Sequence, residues 1–115
     1  DLAVIHCREG RPALVGRGVT VGHGVILHGA RVGDGCLIGM GATVLEAAIG
    51  ARSLVAAGAL VLAGMRVPPG SLVMGSPAKV IRRLKPGELR GLVEANKAYL
   101  ALQERHRRGS RPVFR

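Results

Sequence analysis

Three histidines carry the chemistry that this sequence could perform. His23 and His28 stand five residues apart in the segment Gly-His-Gly-Val-Ile-Leu-His-Gly, residues 22–29. His6 lies 22 residues before His28, in Ala-Val-Ile-His-Cys, which matches Val-Ile-Leu-His-Gly around His28. Three neutral imidazoles that converge on one cation leave a fourth tetrahedral position open, the arrangement of a catalytic rather than a structural zinc. Such an ion lowers the pKa of bound water to about 7 and makes hydroxide at neutral pH. Attack on a small electrophile is the chemistry that follows. The fourth histidine, His106, sits beside Arg105, Arg107 and Arg108 and is given no role.

The elements that would position these groups come from an internal repeat. From Val15 the chain divides into blocks of 17: residues 15–31, 32–48 and 49–65. Val15, Val32 and Ile49 share the first position; Val21, Ile38 and Val55 the seventh; Leu27, Val44 and Val61 the thirteenth. Position ten is glycine in all three, Gly24, Gly41 and Gly58. Aliphatic residues at six-residue steps, with glycine at the corners where positive φ is cheap, describe a three-sided coil. Its aliphatic positions point inward and its coils stack by parallel strand pairing, about 4.8 Å apart. The fold class is therefore an all-β solenoid, a parallel β-helix of the hexapeptide-repeat type. The coil is expected to close at Pro68-Pro69, with Val67, Leu72 and Val73 in a last irregular turn.

The repeat also serves as an internal control on the histidines. Position nine reads His23, Met40, Ala57, and position fourteen reads His28, Leu45, Leu62. Two imidazoles thus interrupt two apolar columns. His6 falls at position fourteen of the preceding coil once five extra residues are assigned to the loop Arg8–Ala13. His6 and His28 should then stack on adjacent rungs. His23 lies around a corner on the previous face, so the geometry suggests a metal shared between subunits in a threefold ring.

Composition agrees with a thin prism. There are 18 Gly, one Tyr, one Phe and no Trp, with 48% hydrophobic residues. Glycine usage is more than double the average of about 7%. The longest apolar run, Leu54–Met65, has 12 residues, against roughly 20 for a bilayer span, so no membrane role is expected. No signal peptide is visible. The chain opens at Asp1, without Met, in an apolar segment, and is expected to begin inside a longer natural protein. Cys7 and Cys36 form no CxxC pair, which points to free thiols and a reducing cytoplasm. The organisation expected is a β-helix over 1–78, an exit segment and C-terminal α-helix over 79–108 packing on the prism, and a basic tail over 109–115. Leu89, Leu92, Val93, Asn96, Tyr99, Leu100 and Gln103 fall on one face of that helix, which is expected from Glu88. The net charge of +10 is concentrated at the end: residues 79–115 hold 11 basic and 3 acidic groups. With no aromatics interleaved for base stacking, this reads as a solvated basic surface rather than a nucleic-acid site.

His6, the pair in residues 22–29, Ile-Gly-Met-Gly at 38–41 and Gly-Ser-Pro-Ala-Lys at 75–79 resemble gamma-class carbonic anhydrases and their hexapeptide-repeat relatives over nearly the whole chain. The resemblance implies a left-handed coil, a homotrimer, and zinc (or iron or cobalt) at each of three interfaces. His6 and His28 would come from one subunit and His23 from the next. The implied reaction is the reversible hydration of carbon dioxide to bicarbonate. Some relatives hold a proton-shuttling glutamate in a long acidic loop after the first histidine. Here that loop is short, carries Arg8 and Arg11, and has Glu9 as its one acid, so Glu9 takes the proton-transfer assignment. Asp1 resembles a family aspartate whose arginine partner would lie upstream. Tyr99 resembles a family tyrosine on the C-terminal helix. Two other readings stand beside this one: a hexapeptide acyltransferase using coenzyme A, with one histidine as general base, and a catalytically silent trimeric metal-binding scaffold.

Overall fold

The computed structural model describes residues 3–6 and 13–109, with residues 3–6, 100 and 103–109 described by their backbone alone. Eleven short strands wind into a coil and a hairpin and a helix follow. β1 is Ala3–His6, β2 Leu14–Val15, β3 Thr20–Val21, β4 Val25–His28, β5 Arg31–Val32, β6 Leu37–Ile38, β7 Thr43–Val44, β8 Ala48–Ile49, β9 Leu54–Val55, β10 Leu60–Val61 and β11 Arg66–Val67. β12 is Ser71–Gly75, β13 Ala78–Arg83 and α1 Pro86–Gly109. The strands sort into three sheets, one per side of the prism: β1-β4-β7-β10, β2-β5-β8-β11, and β3-β6-β9-β12 extended by β13.

The register follows the repeat. Val15 pairs with Val32 and Val32 with Ile49. Val21 pairs with Ile38 and Ile38 with Val55. Leu27 pairs with Val44 and Val44 with Val61. Each two-residue strand turns one side chain inward, and from the second coil onward these aliphatic residues are buried. Small residues fill the corners between them, including Cys36, Ser53 and Ser71. There the Ser53 amide donates to Cys36 Sγ at 3.4 Å and the Ser71 amide to Ser53 Oγ at 3.1 Å, so the buried polar groups bond along the stack. The close approach of successive corners explains one glycine column. A Cβ on Gly33 would lie 2.6 Å from the Ala51 backbone nitrogen, a contact no side chain can take.

The last coil departs from the 17-residue period. Ile49 pairs with Val67, 18 residues on, because one residue is added between Val61 and Val67, where Gly64 takes φ +86°. Beyond Gly75 the chain reverses. β13 pairs antiparallel with β12 and closes the end of its sheet. The exit segment is thus a strand, which its charged residues Lys79, Arg82 and Arg83 concealed.

The helix begins at Pro86 rather than Glu88. Proline suits the first helical position, whose amide needs no partner. Glu88 reaches back to accept the Lys85 amide at 2.7 Å, satisfying an amide that the helix leaves unpaired. Its carboxylate also takes both guanidinium nitrogens of Arg82, at 2.7 and 2.8 Å. That guanidinium, with the Lys85 amide, holds the Glu88 pKa down to about 2. The buried face of α1 is narrow: Leu92 and Asn96 are buried, whereas Val93 is exposed. Asn96 accepts the Thr20 hydroxyl and donates to the Gly35 carbonyl at 3.1 Å, which ties the helix to the corner region around β3. Among the described residues no helix is long and apolar enough to cross a membrane.

Candidate metal centre

The histidines sit at the two ends of β4, the longest strand of the coil proper besides β1. Val25 and Leu27 are fully buried, so strand alternation sends Ile26 and His28 to the outer side. His23 stands two residues before the strand, in the corner turn with Gly24, whose φ of +70° suits a residue without Cβ. The His23 carbonyl accepts the Gly41 amide of the next coil at 2.8 Å, which fixes the corner while leaving the residue exposed. His6 ends β1, and the parallel register places it directly opposite His28. Two histidines therefore occupy adjacent rungs at one corner, about 4.8 Å apart along the stack.

The columns that these histidines interrupt face outward. Met40, below His23, is 60% exposed, and Leu62, two rungs below His28, is 46% exposed. Apolar side chains in such positions do not serve the core of this chain. His23 and His28 of one chain are separated by the length of β4, at most about 16 Å at ~3.3 Å per residue, whereas imidazole nitrogens bind zinc at about 2.0–2.1 Å. Among the described residues, one chain alone does not gather three His, Cys, Asp or Glu side chains into a metal-sized cluster. The donor chemistry nonetheless fits a divalent metal: two histidines stand at paired register positions on neighbouring rungs, and a third stands at the opposite end of the same face. Glu9, the proton-transfer candidate, lies outside the described residues, as do Asp1 and Cys7.

No family model matches the chain. A curated relative, described as "Probable carbonic anhydrase" from Methanocaldococcus jannaschii, is 46% identical over 105 residues, 90% of this chain and 66% of that protein. A crystal structure of a hexapeptide transferase family protein from Anaplasma phagocytophilum superposes with a TM-score of 0.84 at 34% identity, covering 90% of this chain and 61% of the other. A serine acetyltransferase from Brucella abortus in complex with coenzyme A gives a TM-score of 0.61 at 28% identity, over 72% of this chain and 40% of that one. The chain belongs to the carbonic anhydrase-like hexapeptide-repeat family. It spans no more than about two thirds of the length of these relatives.

In this member of the family the remaining polar groups divide by location. Glu46 is half-buried at the corner below Gly29 and has an interaction partner. Asp34 accepts the Arg17 amide at 2.8 Å on a different corner. Cys36 is buried and free; its thiol donates to the Gly50 carbonyl at 3.1 Å. Burial pushes its pKa up, which keeps it a packing residue rather than a nucleophile. Tyr99 is half-buried on α1. Sequence reasoning missed one feature of the outer surface. Arg31 and Arg66 stand in a single column on either side of Ala48. Arg31 and Ala48 share the last position of the 17-residue block, and the one-residue insertion before Arg66 hid the third member.

Proposed function

We propose that this chain is the metal-binding core of a carbonic anhydrase-type lyase that works as a homotrimer. The observation that carries the reading is the register pairing of His6 with His28 on one outer corner, with His23 at the far end of the same face. Donors at opposite ends of one face call for a head-to-tail contact between copies, and a head-to-tail contact that closes gives a ring. Each of three interfaces would hold one zinc (iron or cobalt being alternatives) on His6 and His28 of one subunit and His23 of the next. The relative from Methanocaldococcus jannaschii, described as a probable carbonic anhydrase, supports the reaction: carbon dioxide and water give bicarbonate and a proton.

When bound, the ion supplies Lewis-acid activation that brings the pKa of water to about 7. The chain supplies the rest. His6, His23 and His28 are the residues that would hold the ion. The apolar residues of the same columns, Met40, Leu45 and Leu62, pack against the neighbouring copy and keep bulk water from the corner. Glu9 receives the released proton and passes it to solvent. The free buried thiol of Cys36 suits a reducing cytoplasm.

The test combines size-exclusion with light scattering, metal analysis and stopped-flow hydration on the same purified protein. A trimer holding one ion per chain and hydrating carbon dioxide is expected. A stable monomer that binds zinc tightly would overturn the shared site. A second reading rests on the likeness to a serine acetyltransferase solved with coenzyme A: an acyltransferase with one histidine as general base. Saturable coenzyme A binding without stoichiometric metal would select it. A metal-loaded trimer without hydration would select the scaffold.

A further inference from the structure

Arg31 and Arg66 lie on a different side of the prism from the histidine strand, in the outward column of the β2-β5-β8-β11 sheet. Each is one rung from Ala48, so their Cα atoms are about 10 Å apart, twice the strand spacing. Both are exposed. Between them the methyl group of Ala48 leaves a hollow, and Gly50, two residues on, adds no side chain because a Cβ there would lie 2.4 Å from the Pro69 nitrogen of the next coil. A groove of about 800 Å³ runs over this face and includes both arginines. Among the described residues neither guanidinium has an ion pair or hydrogen bond. Arg82 shows the contrast: its guanidinium is taken bidentately by Glu88. Glu46 borders the groove at its corner edge, where it already has a partner. The face therefore holds two like charges against one carboxylate, in a column with room between them.

We propose that this groove binds an oxyanion of the phosphate class, with Arg31 and Arg66 closing on it from either side of Ala48. Guanidinium groups match the oxygens of phosphate bidentately, and two of them on either side of a small alanine form a clamp. Leu14 stands at the head of the same column, one rung beyond Arg31, and is 50% exposed. It offers an apolar surface to a phosphorylated molecule with a small apolar body. This site does not depend on the metal reading.

Calorimetric titration at fixed ionic strength, with inorganic phosphate in one arm and phenyl phosphate in the other, tests it. Saturable binding at one per chain is expected. Arg31→Gln and Arg66→Gln should each weaken it about tenfold, as loss of a hydrogen bond to a charged group does. Ala48→Glu, which fills the hollow with a carboxylate, should abolish it. Tighter binding of phenyl phosphate, lost in Leu14→Ser, assigns the site to an organic phosphate; equal binding of both assigns it to the free anion. Arg82→Gln should change nothing. Absence of saturable binding overturns the proposal. So does binding that Arg31→Gln and Arg66→Gln leave unweakened, or that falls equally in Arg82→Gln, since that is diffuse attraction to a basic chain. Phosphate binding that disappears in His28→Leu while persisting in Arg31→Gln belongs to the histidine corner and also overturns it.

Discussion

Replacing His28 by leucine separates the chemistry of the corner from its architecture. The two residues below it in the column are Leu45, half-buried, and Leu62, 46% exposed, so the fold already accepts leucine there. His28 is half-buried and has an interaction partner, so without metal His28→Leu should cost no more than about 1 kcal/mol, the loss of one such contact. With metal the two proteins should part. A ligand that binds only the native state at 100 times its Kd adds about 2.7 kcal/mol. For a chain of this size roughly 4–8 °C accompany each kcal/mol, so zinc should raise the wild-type midpoint by about 10–20 °C. His28→Leu keeps only two of three donors and should lose nearly all of that rise. Calorimetry at fixed protein concentration, with zinc and with chelator, reads both quantities. A variant destabilised by more than about 1.5 kcal/mol in chelator would show that His28 is a packing residue. A full zinc response in the variant would show that it is not a ligand. His23→Ala provides the companion measurement, because Ala57 holds that corner in a later coil. It should abolish the zinc response and, unlike an unshared ligand, shift assembly toward smaller species.

Two further outcomes follow from the helix. Asn96→Leu preserves volume but leaves the Thr20 hydroxyl and the Gly35 carbonyl without their partner; two such losses should cost about 2 kcal/mol, read as a lower urea midpoint, and an unchanged midpoint would mean that α1 is not docked through this residue. Glu88 has its pKa lowered from 4.5 to about 2, so its contribution is present in full above about pH 4.5 and is lost as pH falls toward 2. The difference in thermal midpoint between wild type and Glu88→Gln should shrink across that window and be restored above it.

The inward positions were legible because a strand of two residues has one inward side chain, and the sequence must repeat an aliphatic residue wherever the coil returns. Val32, Ile38 and Val44 are read from the period alone and are all buried. Legibility fails where the period is broken or where burial is slight. The residue added between Val61 and Val67 shifts Arg66 out of its column in any fixed-length alignment. β13 hides because Ala78 is its one buried residue, so it carries no alternating pattern. Val93 follows Leu92 by about 100° around the helix, which is enough to carry it from the buried stripe to solvent. The pairing of His6 with His28 was legible from the matching pentapeptides, since register in a parallel stack follows from identity of position. The outward direction of the Met40 and Leu62 columns was not, since apolar residues that face outward and apolar residues that face the core have the same composition.

This architecture separates stability from chemistry more completely than most. The inward columns carry the burial, and the outward columns are held at fixed heights by ladders whose hydrogen bonds do not involve side chains. Spacing on the outside therefore comes in steps of about 4.8 Å. One step separates the His6 and His28 positions, the spacing on which the proposed metal site rests. Two steps, with a small residue between, is the distance at which two guanidiniums can hold an oxyanion, as Arg31 and Arg66 are placed around Ala48. A column can change its residues without disturbing the prism, which is why Leu45 and His28 occupy the same position in successive coils. The corollary is that function on such a surface is decided by which columns are paired with a second copy and which remain open to solvent. His23 and His28 mark the two edges of one face; the arginine pair lies on the next. Under the two proposals above, the same coil would bind a cation at a contact between copies and an anion on a neighbouring side.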